Sequence, residues 1–111
     1  MASKLDSLAR KQQILDEALR QAAKVGYLNI KRQEIATALG ISAGLVSLHF
    51  STMAQLKRDV MRAAVKHSSS PTMDRMRWPA WRVLAQGLAV NDRQAMRARA
   101  DVKANALATL A

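Results

Sequence analysis

Apolar side chains recur at three- and four-residue spacing along almost the whole chain. No stretch alternates at the period of two that a strand requires. Leu8, Ile14, Leu15, Ala18, Leu19, Ala22 and Val25 make one such stripe, which predicts a helix from about Leu5 to Lys24, ended by Gly26. Tyr27 to Lys31 link it to a short second helix, Arg32 to Leu39, burying Ile35, Ala36 and Leu39, with Asn29 as its candidate cap. Gly40-Ile41-Ser42 reads as a turn. Ser42 would cap a third helix to about Phe50, turning Leu45, Val46 and Phe50 inward. Ser51 and Thr52 then open a fourth, to about His67, striped by Met53, Leu56, Val60, Ala63 and Ala64. The expected fold class is all-α.

Ser68-Ser69-Ser70-Pro71 interrupts this pattern with three small hydroxylated residues and one that cannot continue a helix. A fifth helix follows, with Pro79 in its first turn, reaching about Val90 and carrying Trp81, Leu84 and Leu88 on one face. Asn91 or Asp92 caps a sixth, whose stripe is Met96, Ala100, Ala104, Leu107 and Leu110. The chain thus divides into a head (1–67), a linker (68–79) and a helical tail (80–111). Two short helices cannot enclose the ~300 Å³ that ligand sites need and also form a core. No small-molecule ligand and no cofactor is therefore expected. Across a two-fold axis the tail helices could instead build a four-helix bundle around Trp81, Leu84, Leu88, Met96 and Leu107, making a homodimer. On this reading Trp78 and Trp81 are core or interface anchors, not base-stacking platforms.

Charge narrows the partner. The 111 residues hold 18 Lys plus Arg against 8 Asp plus Glu, a net charge of +10. Residues 1–66 carry 11 of the basic and 5 of the acidic side chains, so the excess is spread over both parts. A polyanion is implied, nucleic acid before membrane. There is no Cys, which removes disulfides, thiolate metal sites and cysteine nucleophiles. No apolar run approaches the roughly 18 residues that cross a bilayer, and Met1 to Lys11 has no signal-type core, so a cytoplasmic protein is expected. His49 and His67 lie too far apart in sequence to suggest a metal site. No nucleophile elbow or oxyanion motif appears, and the chain does not read as an enzyme.

The informative stretch is Gln33-Glu-Ile-Ala-Thr-Ala-Leu-Gly-Ile-Ser-Ala-Gly-Leu-Val-Ser-Leu-His-Phe50. Two short helices joined by a glycine turn make a helix-turn-helix. Ala36 is small where the helices cross, Gly40 supplies positive φ, and Ile35, Leu39, Ile41 and Val46 wedge them at a steep angle. The second helix can then enter a major groove. Here the sequence resembles the TetR family of bacterial transcriptional repressors. Ala22-Ala23-Lys24-Val25-Gly26-Tyr27 matches the end of that family's first helix. Ile35-Ala36, Gly40-Ile41-Ser42, Gly44, His49-Phe50 and Leu56 follow in order, over about residues 9 to 66. The chain departs from the family at Lys31 (usually Thr), Ser47 (often Tyr) and Met53 (often Lys). It also lacks the length for the family's large inducer-binding domain.

The resemblance implies base readout by Ala43, Gly44, Ser47 and Leu48, with Gln33 helping from the preceding helix. Gln suits adenine, and Ala or Leu can touch a thymine methyl; no Arg is placed to fork onto guanine, so A·T-biased half-sites are expected. Phosphate contacts fall to Lys31, Arg32, Ser42, His49, Lys57 and Arg58. The whole reads as a dimeric repressor of a palindromic operator, bound to double-stranded DNA and hence to the nucleoid. A sensor-free repressor suits autoregulation on a plasmid or phage. Two rivals stay open: a non-specific architectural DNA-binding protein, and a protein–protein adaptor working through its Trp-bearing tail.

Overall fold

A computed structural model of the chain describes residues 4–70 and 75–109; the expected helix breaker Pro71 and the stripe residue Leu110 lie outside them. Seven helices order the described residues: α1 (Lys4–Val25), α2 (Arg32–Leu39), α3 (Ala43–His49), α4 (Met53–Ser68), α5 (Arg77–Ala89), α6 (Arg93–Met96) and α7 (Ala100–Ala108). The first four fall within two residues of the bounds that periodicity predicts. α1 buries Ile14, Ala18, Leu19 and Ala22 completely, while Leu8 and Val25, at the two ends of its stripe, remain about half exposed.

Local chemistry sets the helix ends. Thr52 accepts a hydrogen bond from the Gln55 N–H at 3.1 Å and starts α4, as its position suggests. Asn29 does not cap α2. Its Nδ2 donates to the Val25 carbonyl at 2.8 Å and closes the end of α1 instead, leaving Lys31 at the α2 N-cap with no side-chain cap.

The C-terminal segment departs furthest from expectation. α5 begins at Arg77, so Arg77 to Pro79 is helix where a linker is expected. Ala80, Val83, Leu84, Ala85 and Gly87 of α5 are buried in the same apolar core as Ile14, Leu19, Leu56, Val60 and Met61. Head and tail therefore share one core. Close approach makes this packing work: a Cβ on Gly87 would lie 2.5 Å from Met61 Cε and 2.8 Å from Ala95 Cβ.

The expected sixth helix is split in two. Asp92 caps α6 through bonds from the Gln94 and Ala95 N–H groups, but α6 ends after four residues and Arg99 is extended before α7. Its buried stripe is Ala95, Ala98, Val102 and Ala106, whereas Met96 and Leu107 are nearly half exposed. Small side chains win these positions because α5 is too close for large ones. Periodicity alone favours the bulkier face and misplaces the stripe.

Three polar contacts lock the tail onto the α1–α2 corner. Gln86 accepts from the Tyr27 N–H at 2.8 Å and donates to the Ala22 carbonyl at 3.0 Å, so one amide serves two backbone groups where α1 ends. The Tyr27 hydroxyl donates to Asp92 Oδ2 at 3.0 Å. Burial, then the hydrogen bond to Asp92 and the charge of that carboxylate, push the Tyr27 phenol from 10.0 up to about 12.

Candidate nucleic-acid interface

The α2–α3 corner is built from short-range rules. Gly40 takes φ 68°, ψ 32°, which an L side chain adopts at a cost, and this reverses the chain within one residue. The Gly40 and Ile41 N–H groups bond back to Thr37 and Ala36 carbonyls at 3.2 and 3.0 Å and close α2. Ser42 is extended and its Oγ accepts from the Leu45 N–H at 3.1 Å, so α3 starts at once on a new axis. Ile35, Ala36, Val46 and Phe50 are fully buried beneath the corner. The Lys11 ammonium of α1 lies 5.3 Å from the centre of the Phe50 ring and covers the end of α3.

Of the five residues expected to read bases, three lie on the open surface. Gln33, Gly44 and Leu48 are exposed, Leu48 to 77%, an exposure with no structural use for a leucine. Ala43 and Ser47 are half-buried. The Ser47 hydroxyl donates to the Ala43 carbonyl at 3.2 Å, so its proton points into the helix and only its lone pairs face outward. Gln33 Nε2 donates to Thr37 Oγ1 at 3.2 Å, which brings in exposed Thr37, a residue the sequence reading omits. The signal for it was present in the i, i+4 spacing along α2.

The expected phosphate contacts divide likewise. Lys31 is exposed at the α2 N-terminus, whose first N–H groups carry no side-chain cap, an arrangement that favours an anion. Arg58 and Ser42 are exposed, and Lys57 and His49 are half-buried. Arg32 is also half-buried, and its Nε is enclosed without a hydrogen-bond partner, so this side chain is drawn into the fold more than its place in the sequence suggests. Lys57 and Arg58 line a hollow of about 300 Å³ together with Tyr27, Leu28, Asp92, Arg93 and Gln94, the Asp92 carboxylate being held by the Tyr27 hydroxyl and the α6 N–H groups. The exposed Arg93 of α6 thereby joins the cationic flank of the head, a meeting only the tertiary fold arranges.

The five residues expected at a dimer interface are not equally available. Leu84 is completely buried inside the single chain, held by the core that α5 shares with α4, and no partner can reach it. Trp81 and Leu88 are half-buried against that core; Met96 and Leu107 are exposed.

Among the described residues, no three His, Asp or Glu side chains are grouped to hold a metal ion. No helix among them is long and apolar enough to cross a membrane.

Residues 14–60 match the family model described as bacterial regulatory proteins, tetR family. No curated protein and no solved structure matches the chain. The matched span begins at Ile14, a fully buried residue of α1, and ends at Val60 in the middle of α4, so it encloses the whole α2–Gly40–α3 corner. A corner closed by its own backbone, with exposed residues and cations around it, agrees with that match: over these residues, less than half of the chain, the protein is similar to the helix-turn-helix head of bacterial regulators of the tetR family, which supports a DNA-binding regulator of transcription.

Proposed function

We propose that the protein is a sequence-specific repressor that binds a palindromic operator as a homodimer and occludes a promoter, with no inducer enclosed in its tail. The observation that carries this reading is the exposure of Gln33 on α2 and of Gly44 and Leu48, four residues apart on α3, in a head that also exposes Lys31 at the uncapped α2 N-terminus and Arg58 on α4. An open reading face between cations suits base edges between two phosphate backbones. Gly44 has no side chain, so α3 can approach the groove floor closely there. Leu48 and Gln33 suit a thymine methyl and an adenine edge. One head of this size buries too little to select a site in a genome, whereas two heads about 34 Å apart read successive major grooves on one side of a duplex. With Leu84 unavailable, the proposed contact between copies moves to Met96 and Leu107, the large exposed apolar residues of α6 and α7. The working place of such a protein is the bacterial cytoplasm, on the nucleoid.

Selection from random duplex DNA at about 150 mM salt tests the proposal, because non-specific attraction is weak there. Enrichment of an inverted repeat with centres one or two turns apart is the expected result. The high net charge and the absence of Arg from α3 favour a second reading, a non-specific architectural DNA-binding protein. That reading takes over should no sequence be enriched while binding vanishes as salt rises.

A further inference from the structure

Trp78 is 57% exposed on the first turn of α5, although a tryptophan of a small domain is normally drawn into its core. Its surroundings are specific. Trp78 and Pro79 form one wall of a groove of about 360 Å³ between α5 and α1, with Ala23 and the cations Arg20, Lys24 and Arg82 completing the lining. The Arg82 guanidinium stacks on Trp78 at 5.0 Å from the ring centre. A guanidinium stacked in this way keeps its N–H edge free and is held ready for bidentate pairing with a carboxylate. Among the described residues neither Lys24 nor Arg82 has a carboxylate partner, and Arg20 has only a partly exposed contact of 3.5 Å with Glu17. An apolar wall with a wholly cationic rim asks for a ligand that is apolar at its centre and acidic around it.

We infer that this α1–α5 groove docks an acidic segment of a partner protein, one that lays an apolar side chain against Trp78 and sets carboxylates against Arg20, Lys24 and Arg82. Charge decides among occupants. A second copy of a chain carrying +10 would bring more cations to a cationic rim. Duplex DNA offers phosphates but nothing apolar to cover Trp78. No groove residue belongs to α2 or α3, so a partner seated here leaves the reading face open. An exposed Trp beside a half-buried Arg pairs the residue types that most often dominate protein–protein contacts.

The test uses the full chain and a fluorescein-labelled peptide of about twelve residues, all Asp and Glu except for a central Leu-Phe pair. Binding is followed by anisotropy at about 150 mM salt. A dissociation constant on the order of tens of micromolar is expected, weakened about tenfold by Trp78→Ala and again by Arg82→Glu. Arg93→Glu, the same charge change on an exposed residue outside the groove, should stay within about twofold of the parent. Trp78→Ala and Arg82→Glu should both keep the parent's thermal melt and DNA affinity; Arg82→Glu alone decides the matter should Trp78→Ala fold poorly. Equal losses in Arg82→Glu and Arg93→Glu would overturn the inference in favour of bulk attraction. So would equal binding of a peptide lacking the Leu-Phe pair. Tighter binding of single-stranded oligothymidylate with the same dependence on Trp78 would reassign the groove to nucleic acid, and loss of a dimer in Trp78→Ala would reassign it to self-association.

Discussion

α2 and α3 bury Ile35, Ala36 and Val46 and leave Gln33, Gly44 and Leu48 in the open, whereas α5 alone buries Ala80, Val83, Leu84, Ala85 and Gly87. The segment proposed to meet DNA is thus thinly anchored, and the segment that looks like an appendage is the strut. This contrast has a physical origin. A reading face must present polar and small groups to a partner, so it contributes little apolar area to the core. The missing stabilisation has to come from elsewhere in the same chain, at roughly 25 cal/mol per Å² of apolar surface. α5 supplies it by packing on α4 and α1, and Gln86 and Asp92 tie it to the corner from which α2 departs.

The harshest way to break the comparison is to end the chain after Ser70. This uncovers Leu56, Val60 and Met61 and removes both polar ties to Tyr27. A loss on the order of 5 kcal/mol or more is expected, enough to unfold a small domain. Circular dichroism of the truncated head should show no cooperative melt; a melt close to that of the full chain would restore the division into independent head and tail. Next in size is Leu84→Ala, set against Met96→Ala. The buried site should lose about 2–5 kcal/mol in urea titrations. The exposed one should change by less than about 0.5 kcal/mol and instead weaken association in sedimentation.

Tyr27 gives a finer probe, because it is the only tyrosine in the sequence. Its absorbance near 295 nm should titrate with a midpoint near 12 in the folded protein instead of 10.0. The folded pKa is raised above the unfolded one, so this contribution to stability is complete below pH 10 and is lost as pH rises towards 12. A loss on the order of 2 kcal/mol is expected over that window. Tyr27→Phe, lacking the titrating hydroxyl, should not show it; parallel pH–stability curves for the two proteins would separate Tyr27 from the strut. The smallest effect is kept for the reading face. Gln33→Ala should alter stability by less than about 0.5 kcal/mol while relaxing preference at one base position by about 1 kcal/mol, as read from selected sequences. An unchanged preference would move Gln33 out of the readout set.

Features that rest on neighbours along the chain can be read from the residues alone. Gly40 at a left-handed turn, Ser42, Thr52 and Asp92 as caps, and the three- and four-residue spacing of Ile14 to Ala22 all act within a few residues, so the helices and the helix-turn-helix are legible without a fold. Which faces are covered depends on packing between helices. Met96 and Leu107 lie on a well-spaced apolar stripe, yet Ala95, Ala98, Val102 and Ala106 fill the core; at Ala95 the reason is plain, since a Cβ on Gly87 would already lie 2.8 Å away. Arg32, expected at phosphate, is drawn into the fold for a related reason. Exposure depends on what another helix brings within a few ångströms, and no spacing along one helix records that distance.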